Sequence, residues 1–447
     1  MKWPFALSAR KISHAYHSSP ESFAALCAGI VALGVYVRTM APTVTLELSG
    51  SLVTAADHMG VANSPGYPLW TLAAWFFQWA LGGVRYLGHP NPAWGVAALS
   101  ACAMAGASAV VAWLTALACR LRLVERSGGN LCTGDVCWVA GTTSGLLFAF
   151  ARAVWSQSVI AETHALNAFV IGLLFVFIFR WYMHGSTRDL LLAAFTAGLS
   201  VTTSYTSLFL LPAILVLVGS RDLRIPAGLL VLAILLKWAA RYLVHVPFIP
   251  GWLPVAIVLI MMLAAVVVRQ VPRAGAVLVC FALGLAFVLY MPIASSQNPP
   301  INWGNAQTME GFLHMLRRGQ YERVYPLNVF AHPAEYGVML CTYLVGLARQ
   351  FTWPVAAFGV LSLGAFSSGD RRVREWIGFV IIAWAMMGPG LLVVLRPAAD
   401  VQTQFLVRVH FIPSYLCYAL LIGQGMGVLL DRLTRPMESR STSVTPA

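Results

Sequence analysis

Apolar runs of roughly membrane-spanning length recur along the whole chain, separated by short polar connections that often carry arginine. Residues 22–40, 94–118, 136–152, 164–182, 188–204, 206–219, 226–244, 252–268, 275–293, 351–368, 376–395 and 411–430 each approach the length a helix needs to cross hydrocarbon. The pattern predicts an all-α polytopic membrane protein with about twelve transmembrane helices. It also predicts one body over 1–435 and a short polar, disordered cytoplasmic tail over 436–447. The first run follows Lys2, Arg10 and Lys11 and is longer than a signal-peptide core, so it is read as an uncleaved first span.

Residues 66–83 are apolar too, and hydropathy alone would make them a span. Charge decides otherwise. If 66–83 crossed, Arg120, Arg122 and Arg126 would fall outside. If it lies along the surface, Arg180, Arg188, Arg221, Arg224, Arg269, Arg273, Arg371, Arg372, Arg374, Arg432, Arg435 and Arg440 all join the amino-terminal cations on the cytoplasmic side. Both termini are then cytoplasmic, two outer loops become long (41–93 and 294–350), and 66–83 becomes an interfacial or re-entrant helix.

Composition supports this class. The chain is 59% hydrophobic and 10% charged, far from the balance of soluble domains. Its net charge of +13 is absorbed by the cytoplasmic connections, and no basic run interleaved with aromatics suggests a nucleic-acid partner. The cysteines are scattered, and the pair Cys132 and Cys137 is read as plain thiols.

Candidate chemistry collects in the outer loops. Glu47 and Asp57 share the loop 41–70, which closes on the rigid turn Ser64-Pro65-Gly66-Tyr67-Pro68. Two carboxylates at the mouth of so apolar a chain suit acid/base work. Glu162 and His164, after Trp155-Ser156-Gln157, lie close enough to the surface to line the same cavity. Asn302 and Trp303, in Asn298-Pro299-Pro300-Ile301-Asn302-Trp303-Gly304, form a stiff aromatic–amide platform suited to a sugar or lipid head group. Arg317, Arg318 and Arg323 stand outside the cytoplasmic charge pattern, as do Arg408 and His410, and guanidinium groups there match phosphate oxygens. Lys237 and Arg241 sit four apart within an apolar run, where charge is costly, and snorkelling is the plain alternative. Loops 41–70 and 298–304 are expected to pack together around one outer cavity.

Taken in order, Ala41-Pro42-Thr43-Val44-Thr45 with Pro65-Gly66-Tyr67-Pro68-Leu69-Trp70, the Trp155–Glu162 stretch, Tyr290-Met291-Pro292 with the 298–304 block and Arg317-Arg318-Gly319-Gln320-Tyr321, and Phe411-Ile412-Pro413-Ser414-Tyr415 resemble the family of transmembrane-protein-260-like protein O-mannosyltransferases. The resemblance covers roughly 22–430. It implies a glycosyltransferase C-type architecture with outer-face surface helices, and an acidic catalytic residue in the first outer loop. The implied reaction is inverting transfer of a sugar such as mannose from a polyprenyl-phosphate donor to an acceptor hydroxyl of a protein or glycan. For a bacterial member it places the chain in the inner (cytoplasmic) membrane, among membrane lipid, with its active face extracytoplasmic. Where the family reads Asp-Ser-Gly-Glu, this chain has Leu48-Ser49-Gly50-Ser51, so Glu47 stands one place before the expected acid. On this reading Glu47 is the base with Asp57 second, Glu162 and His164 orient the acceptor, and Arg317, Arg318 or Arg408 holds the phosphate. No cofactor is called for; a divalent metal is compatible, but no spacing requires one. A transporter or flippase of a lipid-linked sugar, or a non-catalytic member, remains the alternative.

Overall fold

The computed structural model describes residues 19–127, 132–230, 272–321, 325–367, 371–398 and 400–434. Lys237, Arg241, Arg323, the tail 436–447 and most of the expected spans 226–244 and 252–268 lie outside the described residues. The described chain is almost wholly helical. The strand content is a two-residue hairpin, β1 (Arg85–Tyr86) with β2 (His89–Pro90), paired antiparallel.

The helices are α1 (Pro20–Thr39), α2 (Ser49–Asp57), α3 (Pro68–Ala80), α4 (Pro92–Ser127), α5 (Cys132–Ala149), α6 (Arg152–Ser158), α7 (His164–His184), α8 (Thr187–Thr203), α9 (Leu211–Arg221) and α10 (Pro272–Leu285). They continue with α11 (Tyr290–Ser296), α12 (Met309–Leu316), α13 (Pro333–Phe351), α14 (Trp353–Leu361), α15 (Arg371–Ala385), α16 (Leu391–Leu395), α17 (Val401–Val407) and α18 (Ile412–Thr434). Among the described residues, six helices are long and apolar enough to cross a membrane, or up to eight if each of two bent pairs is one span. The protein is therefore an all-α polytopic membrane protein, and the expected twelve spans are not all present among the described residues. Expected spans 188–204 and 206–219 are helical but short, the latter being the apolar stretch Tyr205–Arg221.

One expected loop is different. Within 294–350 the structure has α12 and the 19-residue α13, and α13 turns by 104° into the helix beginning at Trp353. Residues Met339, Tyr343, Leu347 and Phe351 repeat every four positions and are buried, giving α13 one apolar stripe. Glu335 and Arg349 dilute its mean hydropathy.

The segment 66–83 contains α3, whose 13 residues span about 20 Å, short of the roughly 30 Å of hydrocarbon a crossing requires. It buries Trp70, Thr71, Ala74 and Gln78 along one face and exposes Phe76 and Trp79 on the other. That two-faced character suits a helix lying at an interface, with its inner face on the bundle.

Packing between spans relies on small residues. At Gly198 of α8 and Gly284 of α10 an added methyl would lie 2.1 Å from a backbone oxygen of the facing helix, so only glycine lets these two helices approach. Polar links supplement this: the Tyr36 hydroxyl donates to the Ala149 carbonyl (2.7 Å), and Thr203 and Ser207 donate to Asn167 Oδ1 (2.8 and 3.2 Å). Pro389 interrupts the helical run 371–395 with a π-turn, and the Tyr336 hydroxyl donates to its carbonyl at 3.1 Å.

Candidate active site

The site is assembled from four chain segments at one end of the bundle. The Ala41 amide donates to the Val159 carbonyl (2.8 Å), tying the start of loop 41–70 to the loop before α7. The Glu162 carbonyl accepts from the Trp70 indole (3.1 Å) and the Ser100 hydroxyl (3.2 Å), which fix that second loop against α3 and α4. The third segment arrives through a short parallel bridge, in which the Val61 amide donates to Ile301 O (2.8 Å) and the Trp303 amide to Val61 O (3.0 Å). Ser64 Oγ donates to Met315 O (2.8 Å), fastening the proline turn to α12. The turn itself has Gly66 at φ 90° and Tyr67 at φ 42°. The fourth segment, around Arg408 and His410, is a 3₁₀ turn leading into α18.

The bridge leaves no space beside Gly60. A methyl there would lie 2.4 Å from Ile301 O, whereas one on Gly83 would meet nothing within 4 Å. Gly60→Ala is therefore expected to push loops 41–70 and 298–304 apart and to destabilise the protein by about 1–3 kcal/mol. Gly83→Ala should leave the unfolding temperature unchanged. Thermal unfolding of the two purified variants checks this, and equal melting temperatures would contradict the bridge.

Glu47 occupies the left-handed region at φ 73°, one residue before the N-cap of α2, and its side chain is exposed. Its charge acts on both Glu162 and Arg408, so these three groups share one electrostatic neighbourhood. Glu162 is 5% exposed. Burial pushes its carboxyl up to about 7, and the nearby Glu47 adds to the effect; the Thr163 and Leu48 amides oppose it by hydrogen bonding to the carboxylate. The Glu162 charge also reaches Tyr67. Burial, then the Glu162 charge, hold its phenol up at about 12, so it stays a hydrogen-bond donor at neutral pH.

The cations close the other side. Arg318, at φ 54°, stacks over Tyr321 at 4.8 Å, and its charge reaches Tyr67 and His410. Arg408 lies over Phe405 at 3.8 Å, and its Nε is buried with no hydrogen-bond partner among the described residues. His164 and His410 face each other with ring centroids 5.5 Å apart. The set therefore offers an exposed carboxylate, a buried carboxyl poised near neutrality, a phenol donor, two imidazoles and two guanidinium groups. This is a donor and acceptor pattern suited to a phosphate beside an attacking hydroxyl.

Not every expected residue joins it. Asp57 ends α2, about 13 Å along the helix from Ser49, and is exposed beside His58 at 3.6 Å. Asn302 stands in the bridge, but its amide is engaged with Ser295: Oδ1 accepts from Ser295 Oγ (2.7 Å) and Nδ2 donates to Ser295 O (3.3 Å). It shapes the loop, while Trp303 remains 45% exposed beside it. Arg317 is exposed at the C-cap of α12. Tyr67 was not singled out by sequence reasoning, although it lies inside the proline turn that was. Among the described residues no three His, Cys, Asp or Glu side chains are grouped to hold a metal.

Residues 49–224 match the model of the Protein O-mannosyl-transferase TMEM260 N-terminal domain. That segment contains Asp57, Glu162 and His164 and begins two residues after Glu47. Protein O-mannosyl-transferase TMEM260 of Mus musculus is 23% identical over 401 residues, covering 87% of this chain and 47% of that protein. The chain spans about half the length of this curated relative. The family match and this similarity agree with the motifs quoted above, and the chain is similar to TMEM260 over these residues.

Proposed function

We propose that this integral membrane protein is an inverting glycosyltransferase. It moves mannose from a polyprenyl-phosphate donor to an acceptor hydroxyl, on a protein or glycan, at the extracytoplasmic face. The observation that carries the reading is the convergence of Glu47, Glu162 and Arg408, from three distant stretches of sequence, in one electrostatic neighbourhood. Similarity to a Protein O-mannosyl-transferase supplies the reaction class.

The chemistry needs three things from the chain. A base must take the acceptor proton as the hydroxyl oxygen forms its bond to the anomeric carbon. Glu47 is the accessible carboxylate and takes this role. The bond from the anomeric carbon to the phosphate oxygen breaks, and the electron pair leaves with the lipid phosphate. Arg408, whose Nε has no hydrogen-bond partner among the described residues, and Arg318 neutralise that charge. Glu162 and His164 orient the acceptor; a carboxyl near half-protonation can donate as well as accept. Tyr67 adds a fixed donor beside Glu162.

Sidedness provides the test. In sealed vesicles of known orientation, lipid-phosphate mannose and a hydroxyl acceptor are supplied to one face at a time. Labelled product should form when the face bearing Glu47 is supplied, and the amino terminus should be protected from protease on that face. Product formed from the opposite face alone would refute the proposed orientation. Transfer of intact lipid-linked sugar across the bilayer with no new glycosidic bond would identify a flippase instead.

A further inference from the structure

Asp57, which the sequence grouped with Glu47, opens into a different space. A cavity beside the first outer loop has a volume of about 380 Å³ and is bounded by Asp57 from α2, Trp75, Gln78 and Trp79 from α3, and Asn91 after the hairpin. This is the size range of small-ligand sites. Trp75 and Trp79, four residues apart on one helix face, are 38% and 70% exposed. Gln78, 7% exposed, lines the same cavity; its Nε2 donates to Val53 O (3.1 Å), while its Oε1 is buried with no hydrogen-bond partner among the described residues. A buried amide oxygen with nothing to accept from is costly unless a ligand or water supplies a donor. Asn91 Nδ2 donates to Pro42 O (2.6 Å), so the cavity wall is tied to the loop that carries Glu47.

We propose that this cavity is a carbohydrate-binding subsite, separate from the reacting groups, that takes a hexopyranose unit of the acceptor. A pyranose ring has an apolar face of C–H groups and a rim of hydroxyls. The indole faces of Trp75 and Trp79 match the first. The Asp57 carboxylate and the Gln78 amide oxygen, both acceptors, match the second. A lipid chain explains the two indoles but not the other pair, since acyl contact would desolvate Asp57 and leave Gln78 unpaired. The nine-residue α2, about 13 Å long, stands between Glu47 and Asp57, so the subsite lies apart from the point of transfer. The assignment to the acceptor and the choice of a mannoside as probe rest on the proposed transferase reading; the binding of a sugar ring in this cavity does not.

The experiment is binding of methyl α-mannopyranoside and of mannobiose to the purified full chain in nanodiscs, read by saturation-transfer NMR and tryptophan fluorescence. Wild type is expected to bind mannobiose at millimolar concentration, with Trp79→Ala and Asp57→Asn each weakening binding about tenfold or more. Trp79→Phe, which keeps a ring, should retain part of the affinity at an unchanged unfolding temperature. Glu47→Gln should bind as wild type does. If neither sugar binds wild type, or if Asp57→Asn and Trp79→Ala bind as tightly as wild type, the subsite is refuted. Quenching of Trp79 by brominated lipid that mannobiose does not relieve would also refute it, making this face a membrane anchor. If the sugar binds with the expected pattern while no preparation transfers mannose, the subsite stands and the transferase reading falls.

Discussion

Glu47→Gln is expected to slow sugar transfer about 10²–10⁴-fold while leaving the unfolding temperature unchanged. The substitution keeps the size and hydrogen-bonding capacity of the side chain and removes its ability to take a proton. Glu47 is exposed and the substitution opens no cavity, so the fold should hardly suffer. The loss should fall on kcat more than on KM, because the interaction is made as the proton is transferred. Asp57→Asn should stay within several-fold of wild type on an acceptor too short to reach the Asp57 cavity, since that carboxylate lies at the far end of α2. If Glu47→Gln transfers as fast as wild type while Asp57→Asn is inactive, the base is Asp57 and the assignment is wrong. Leu48-Ser49-Gly50-Ser51 offers no carboxylate beside Glu47, which makes this comparison sharp. A chain without a base would transfer nothing in either case.

Glu162→Gln is expected to make the protein more stable than wild type at pH 8 and no different at pH 4. In the folded chain the Glu162 carboxyl sits at about 7, chiefly through burial, against an ordinary value of 4.5. Below the ordinary value it is protonated folded or unfolded, and its contribution to stability is fully present. Between 4.5 and about 7 the unfolded chain releases the proton and the folded chain keeps it, so stability falls as pH rises. Above about 7 the loss is complete, at about 3 kcal/mol. Gln cannot ionise and escapes the loss. The check is thermal unfolding of both proteins across pH 4 to 8, where the difference should grow to several degrees. Parallel curves would mean that the carboxyl is not held in an apolar setting. The same substitution should flatten any change in transfer rate centred near pH 7.

The spans and the site differ in how far the sequence reveals them. An apolar run of membrane length is a local property, and α1, α4, α7 and α18 stand close to the runs seen in the chain. The helix α13 escaped because only one stripe is apolar; averaging over Glu335, Tyr336 and Arg349 hides a period of about 3.6. The surface placement of α3 came from arginine parity, not hydropathy, and its 13 residues are consistent with it. Loop partners were expected from stiffness alone, and the Val61–Asn302 bridge brings them together. Its register, and the engagement of the Asn302 amide by Ser295, depend on pairings 241 and 7 residues apart that no spacing reveals. Asp57 shows the same limit within a single loop. Ten residues from Glu47 in sequence, it is carried away by an intervening helix and faces another cavity. Tyr67 was hidden because the turn explains its neighbours Pro65, Gly66 and Pro68 without needing its side chain.

The most direct measurement is the covalent product. Purified wild-type chain in nanodiscs is incubated with polyprenyl-phosphate mannose, labelled at the anomeric carbon, and a hydroxyl acceptor; the acceptor is then analysed by mass spectrometry and NMR. The account predicts an acceptor heavier by one hexose, with anomeric configuration opposite to that of the donor and equimolar release of lipid phosphate. Unchanged acceptor and intact donor at every concentration, from wild-type protein that is folded and monodisperse, would contradict it.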